Sequence, residues 1–333
     1  MNAATASLPR RLLRFGAIAL AGVAVALAAS WTALAIWFQT ADATPARWMA
    51  VGLYAALAIA LGTLAFRRPR SALAAFAAVM VGVAIWWSSL HPSLDRDWAP
   101  DVARTATGTM DGDVVTLDNV RDFAWTSDAT AQERWVTKRY DLRRLNETDL
   151  VLSYWGIDAI AHTLVSFGFD DGQRVVFSVE IRRERSEAFS PIAGFFKVFE
   201  LAFIAAEERD ILYLRTNMRG EDTYLYPLAL TPEASRALFV TYVNAANERA
   251  SEPAWYNTLT TNCTTVIFDL VRLIEPGIPM DWRILLSGYL PGYLVEQNAT
   301  VWKLPEDELR KKAAISAKAR RAGNSTAYSV AIR

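Results

Sequence analysis

The sequence predicts an α+β domain carried behind three transmembrane helices, and three observations lead there. Three uncharged apolar runs open the chain, Phe15 to Phe38, Trp48 to Phe66 and Ser71 to Leu90, each about the length that crosses a hydrocarbon core as a helix. Stretches with two-residue alternation follow, which suits strands. Among them stand segments with helix-start and helix-stop signatures. The 333 residues are 53% hydrophobic with a mean hydropathy of +0.13. That is too apolar for an ordinary soluble protein, and the three runs hold the excess.

Arg10, Arg11 and Arg14 precede the first run, as basic residues precede a signal peptide. The run is longer than the roughly 7 to 15 apolar residues of a cleaved signal, and two more spans follow, so a retained anchor is expected. Arg67, Arg68 and Arg70 lie between the second and third runs, while "QTADATPAR" between the first two carries only Arg47. The positive-inside rule then puts the N-terminus in the cytoplasm and everything after Leu90 outside it. The expected location is an inner membrane crossed three times, with the main domain in the periplasm. The expected division is an anchor over 1–90, a charged connector over 91–104, an extracytoplasmic domain over 105–304 and a charged helix with a mobile tail over 305–333.

Within the domain, "DGDVVTLDNVRDF", "ERWVTKRYDL", "DLVLSYW", "AHTLVSFGF" and "QRVVFSVEI" read as strands. The last two of these fix a register. Thr163, Val165, Phe167 and Phe169 make the apolar face of one strand, and Val175, Phe177, Val179 and Ile181 that of the next. A three-residue loop Asp170-Asp171-Gly172, with Gly172 left-handed, pairs those faces and sets His162 opposite Glu180. "FFKVFELAFIAAEE" has helical spacing and "DILYLRTNMR" reads as a strand. "TPEASRALFVTYVNAANERA" begins a helix with Thr231 as N-cap and Pro232 in the first turn. A further helix runs from about Cys263 to Ile274 and stops at Pro276-Gly277.

Cys263 is the only cysteine in the chain. Outside the cytoplasm cysteines usually pair, and a single one has no partner in its own chain. It is either a small buried hydrophobe or a nucleophile. Thr261 and Asn262 both cap helices, which puts Cys263 in a first turn, where free amides and the helix dipole lower a thiol pKa and bind an oxyanion. A base is needed, and there are two histidines. His91 ends the third span; His162 sits on a strand of the same domain. Glu180 is the cross-strand candidate to orient the imidazole, against the alternative of a plain pair with Arg182; Ser178 and Asp158 are substitutes. Tyr256, Asn257 and Asn262 are oxyanion candidates, each with an ordinary capping or packing alternative. No metal and no cofactor are expected, since two distant histidines and one cysteine show no ligand spacing. The 35 basic and 35 acidic residues cancel, and no nucleic-acid partner is expected.

The stretch from "AHTLVSFGFDDGQRVVFSVEIRRERSEAF" through "DTYLYPL", with "WYNTLTTNCTT" after it, resembles the bacterial domain that forms the N-terminal periplasmic part of the lipoprotein intramolecular transacylase Lnb. The resemblance covers roughly 150–284. It implies a papain-like fold of the permuted NlpC type, with histidine before cysteine; lecithin retinol acyltransferase is similar in that order and in an Asn-Cys pair at a helix start. By it Cys263 is the nucleophile and His162 the base, whereas Glu180 rests on the hairpin register. The expected function is a thiol acyltransferase or hydrolase working through a thioester on the acyl group of a membrane lipid or lipoprotein. The alternatives are a cell-wall peptide amidase or endopeptidase of the same fold, and a non-catalytic binding module.

Overall fold

The computed structural model describes residues 10–40 and 44–333. The first nine residues of the expected anchor, and residues 41–43 of the loop after its first span, lie outside the described residues. The chain divides into two units: the part through His91 together with Phe196–Val198, and Pro92–Phe195 with Phe199–Arg333.

The first unit is helical. Its helices α1 (Arg10–Gln39), α2 (Pro45–Arg67) and α3 (Pro69–Ser89) coincide with the three apolar runs, and all three are long and apolar enough to cross a membrane. No residue of α2 is buried, and the side chains it turns outward, such as Leu53 and Ile59, suit hydrocarbon rather than water. Arg68 alone separates α2 from α3, with φ −140°. A residue before proline disfavours the helical region, so Pro69 both ends one helix and starts the next. Trp31 of α1 meets Trp87 of α3 edge to face at 4.8 Å.

The second unit is a curved mixed sheet between two helical layers. Its strands are β1 (Thr107–Asp111), β2 (Val114–Arg121), β3 (Ala124–Trp125), β4 (Ala131–Gln132), β5 (Trp135–Asp141), β6 (Leu145–Tyr154), β7 (Ala161–Phe169), β8 (Arg174–Arg182), β9 (Glu200–Ala206) and β10 (Asp222–Pro227). The main order is β1-β2-β9-β8-β7-β6-β10, with β5 also on β2 and with β3 and β4 forming a separate pair. The β7–β8 hairpin has the expected register: Val165 faces Phe177 and Leu164 faces Ser178, and Gly172 closes the loop at φ +84°. Glycine meets no Cβ penalty there.

On one face, helices α5 (Pro232–Ser251) and α6 (Cys263–Ile274) cover Val165, Phe167, Val175, Phe177 and Phe203. Phe167 lies 5.1 Å from Phe239 and Phe177 stacks on Tyr242 at 5.0 Å. Each such aromatic pair contributes about 0.5–1.5 kcal/mol beyond its buried area. Thr231 caps α5 as expected, accepting from the Ala234 N–H. The opposite face, with Val151, Leu164, Val176 and Ile204, is covered by α4 (Glu208–Tyr213) and by residues of the C-terminal segment, Ile315, Ala319 and Tyr328.

Two expected elements exchange identities. The "ELAFIAA" run is the strand β9, and every one of its residues is buried. An inner strand covered on both faces is apolar throughout, and its spacing no longer separates it from a buried helix. "DILYLRTNMR" is helical instead, as α4 continued by a π-helix over Leu214–Met218. The tail is also not one charged helix with a mobile end. After α7 (Leu290–Glu296), which belongs to the expected domain, it forms α8 (Glu306–Ala313), α9 (Ser316–Ala322) and α10 (Tyr328–Ala331), broken where the Ile315 N–H bonds the Thr223 carbonyl at 3.0 Å. Arg333 ends this segment on the buried carboxylates of Asp149 and Glu208, each at 2.7 Å. Segment 92–104, expected as a connector, is packed on the domain: Trp98 is buried beneath the Arg182 guanidinium at 4.4 Å, and the Ala99 N–H bonds the Arg183 carbonyl at 3.0 Å.

Asp210 closes the layer beneath the sheet. It is fully buried and accepts from Arg121 at 2.9 and 3.1 Å, from the Phe123 N–H at 2.9 Å and from the Trp125 indole at 2.7 Å. Replacing Arg121 by Met leaves a buried carboxylate short of its counter-ion, at an expected cost of about 3–5 kcal/mol. A falling unfolding midpoint of the detergent-solubilised protein checks this; a midpoint unchanged from wild type contradicts it.

Candidate active site

Asn262 and Cys263 sit where α6 starts because the local sequence caps itself. The Asn262 side chain accepts from the Thr264 and Thr265 amides at 2.8 and 3.0 Å. The Thr265 hydroxyl in turn accepts from the Asn262 N–H at 2.9 Å, completing a capping box. Cys263 is the first residue of the helix and is half-buried. With Thr264 and Thr265 already capped, the Cys263 N–H is the first-turn amide that has no hydrogen bond among the described residues.

His162 reaches this helix from β7. The β7–β8 ladder ends at Leu164 and Ser178, although both strands continue beyond that pair. In the opening so created the Thr163 and Thr264 hydroxyls meet at 2.9 Å, tying β7 to the first turn of α6. The imidazole Nε2 lies 2.8 Å from the Ser178 hydroxyl and 3.0 Å from Glu180 Oε1. Both partners come from the same face of β8. Glu180 Oε1 also accepts from Ser178 at 2.7 Å and from Arg215 at 3.2 Å.

The charges settle in an ordered way. Burial and the Arg215 guanidinium work against a charged imidazole, yet the Glu180 carboxylate and the Cys263 sulfur outweigh them and raise His162 to about 9. Burial opposes the Cys263 thiolate, but the His162 cation, a hydrogen bond from it and the Thr163 amide bring the thiol below its ordinary value. Burial likewise opposes charge on Glu180, and His162, Arg215 and Ser178 together hold it well below the usual carboxylate range. At neutral pH these directions favour a thiolate–imidazolium pair backed by a carboxylate.

The remaining expected residues fall out as follows. Arg182 turns away from Glu180, donating to the Val102 and Ala103 carbonyls at 3.1 and 2.8 Å. Asp158 is exposed in the loop before β7, and His91 is exposed in the helical unit. The Asn262 side chain is spent on the cap and on the Thr258 carbonyl, 2.9 Å away. Asn257 Oδ1 accepts the Leu259 and Thr260 amides, both at 3.0 Å. Tyr256 is half-buried, and burial, then the charges of Cys263 and Glu180, raise its pKa, so its hydroxyl stays protonated.

Sequence reasoning missed two groups. Arg215 lies on the π-helix and bridges Glu180 to Glu221, with 3.1 Å to the latter; reading its segment as a strand hid it. Tyr242 of α5 has a buried hydroxyl without a hydrogen-bond partner, and its pKa is raised by burial and by the Cys263 charge. Its spacing on a helix face marked it only as core.

The thiolate form of Cys263 should persist below the ordinary thiol range and lose its counter-cation as pH rises through about 9, where His162 deprotonates. Iodoacetamide alkylation followed from pH 5 to 10 should therefore remain fast at neutral pH. In His162→Asn the midpoint should move up toward about 8.5, the value for a free cysteine. Coinciding profiles for the two proteins would contradict the ion pair.

No curated protein and no solved structure matches this chain. Residues 131–288 match the family model described as the Lnb N-terminal periplasmic domain, a stretch that holds His162, Glu180, Arg215, Tyr256 and Cys263 together.

Proposed function

We propose that this chain is a membrane-anchored, Lnb-like thiol enzyme that transfers or hydrolyses an acyl group through a thioester on Cys263. The reading is carried by one observation: the Thr163 and Thr264 hydroxyls meet at 2.9 Å, which joins the start of α6, headed by the single thiol, to the stretch of β7 that holds His162, whose Nε2 is fixed by Ser178 and Glu180. Nε2 being committed, Nδ1 is the ring nitrogen that serves the thiol. The Lnb-like match supports a periplasmic setting. Three apolar helices support a membrane anchor, and Arg67, Arg68 and Arg70 between the last two support a cytoplasmic N-terminus in an inner membrane. A cysteine heading a helix, with its histidine on a strand earlier in the chain, is also what supports the permuted papain-like reading of the fold.

In this reading the thiolate sulfur attacks the carbonyl carbon of an ester or amide, and the carbonyl electron pair moves to oxygen. The Cys263 N–H and the Tyr256 hydroxyl are the donors this reading assigns to that oxyanion. Collapse breaks the bond to the leaving alkoxide or amine, which takes its proton from the His162 imidazolium, and a thioester remains. An acceptor amine, alcohol or water then gives its proton to neutral His162 and attacks the thioester, regenerating the thiolate–imidazolium pair. Glu180 and Arg215 do not touch the reacting atoms; they position the imidazole. Apolar side chains exposed on the loops around Cys263, among them Ile157, Ile192 and Leu259, favour an acyl donor from a lipid or lipoprotein over a cell-wall peptide.

Full-length protein incubated with a phospholipid or lipopeptide carrying a labelled acyl chain should form an adduct released by neutral hydroxylamine, and Cys263→Ala should form none. His162→Ala should slow adduct formation by about 10²–10⁴-fold. An adduct on Cys263→Ala, or equal rates in His162→Ala and wild type, would overturn the assignment. Removing one oxyanion donor by Tyr256→Phe should slow the same step by up to about 10²–10³-fold with no change in the alkylation profile of the free thiol. A shifted profile with an unchanged rate would assign Tyr256 to the thiolate and not to the oxyanion.

A further inference from the structure

Four loops surround the opening that holds Cys263 and His162. They run over 155–160 before β7, 189–195 before β9, 256–261 before α6 and 280–289 before α7. They are stitched to one another: Trp155 meets Phe189 at 6.4 Å, and the Gly288 N–H bonds the Ala159 carbonyl at 3.0 Å. The Thr258 hydroxyl donates to the Pro191 carbonyl at 2.7 Å, and the Ala161 N–H to the Ser287 hydroxyl at 2.9 Å. A rim held this way presents a fixed surface, not four independent tips.

That surface is unusual for loops, which are ordinarily polar. Ile157 is 62% exposed, Ile192 56%, Leu259 50% and Trp282 57%, with Phe189 and Leu286 also turned outward. The stretches "FSPIAGF", "YNTLTT" and "LLSGYL" that carry most of it contain no charged residue. Asp281 and Arg283, the charges nearest Trp282, are spent on each other at 2.7 Å. Exposed apolar area gathered around one opening marks a surface that is covered in use, and Trp with Tyr among the aliphatics is the mixture found at the membrane–water boundary.

The chain itself says what covers it. It carries three helices fit to span a bilayer, so the domain works beside lipid. The rim loop that ends at Phe195 continues directly into Phe196–Val198, which groups with the helical unit; there Lys197 Nζ donates to the Trp87 carbonyl at 2.7 Å.

We infer that the rim of loops around Cys263 docks on the surface of the lipid bilayer, with Ile157, Ile192, Trp282 and Leu286 seated at the boundary between head groups and acyl chains. The inference rests on the acyl-transfer reading for the purpose of the rim: a carbonyl at that boundary reaches the thiol without its acyl chains crossing water. The geometry of docking is measurable without any thiol chemistry.

Because Cys263 is the only cysteine, Cys263→Ala gives a cysteine-free, chemically inactive full-length background. Into it Ile157→Cys, Ile192→Cys and Leu286→Cys are introduced one at a time, with Met110→Cys on the exposed edge strand β1 as reference. Each is labelled with bimane and reconstituted into phosphatidylethanolamine–phosphatidylglycerol vesicles with or without doxyl-labelled phospholipid. Docking predicts roughly twofold or stronger lipid quenching at the rim positions than at Met110, as for an apolar surface seated at the interface. It also predicts weaker quenching there by aqueous iodide. Unfolding midpoints matched to the background show that each labelled protein is folded. Rim labels that behave as the Met110 label does in both assays overturn the docking, whatever the acyl-adduct experiment gives.

Discussion

A carboxylate taken out of water must be surrounded by donors, and the site is arranged around one that is. Glu180 Oε1 receives the Ser178 hydroxyl, the Arg215 guanidinium and the His162 Nε2. Each of these comes from a different position in the fold: Ser178 from the same face of β8, His162 from β7 and Arg215 from the π-helix beneath the sheet. Remove the carboxylate and the guanidinium is left facing the imidazole, a like charge that lowers the His162 pKa. With it in place, the ring is held by its Nε2 to Ser178 and Glu180 and its cation is favoured. The thiol's lowered pKa is thus a consequence two bonds removed from the group that causes it.

The capping of α6 contributes a second constraint, of opposite kind. A helix N-terminus offers several free amides, which spread their effect over whatever anion is near. Here Asn262 takes the amides of Thr264 and Thr265, so that the Cys263 N–H remains as the donor beside the sulfur. The thiolate then owes its stability chiefly to His162 and the Thr163 amide, and a substrate oxyanion does not compete with it for a large set of donors. In the proposed reading, the groups that hold the nucleophile are thereby separate from those that hold the transition state, which lets both be strong.

How much of this was legible in the chain depends on whether the information was local. The β7–β8 register followed from two alternating faces and a three-residue loop, because a slip of one residue would turn every side chain to the wrong layer. The start of α6 at Cys263 followed from Asn262 and from the stop at Pro276-Gly277. By contrast β9 lost its signature because it is buried on both faces, and the Leu214–Met218 segment was illegible because a π-helix leaves no sequence period to read. Arg215 went unseen for that reason alone; its partners, Glu180 and Glu221, lie on other elements. Asp158, the nearest carboxyl to His162 along the chain among the candidates, points into a solvent-exposed loop, so proximity in sequence was the wrong guide there. Arg182 was misleading in the same way, since its position two residues from Glu180 shares a face of β8 while its guanidinium is drawn off to the carbonyls of Val102 and Ala103.

The site as a whole grades from ionic to apolar over a short distance. Its floor is the linked set of buried Arg215 and Glu221 with half-buried Glu180, all paired; its mouth is the rim with its exposed apolar side chains. A small polar substrate would gain little from the mouth and would have to shed water to reach the floor. Under the proposed acyl-transfer reading a lipid ester suits that gradient at both ends: its chains would meet Ile157, Ile192 and Leu286, and only the carbonyl, which needs donors, would advance toward Cys263. The same gradient explains why a half-buried thiol can stay a nucleophile: the groups that ionise it lie behind it, out of solvent, and its open side faces the substrate.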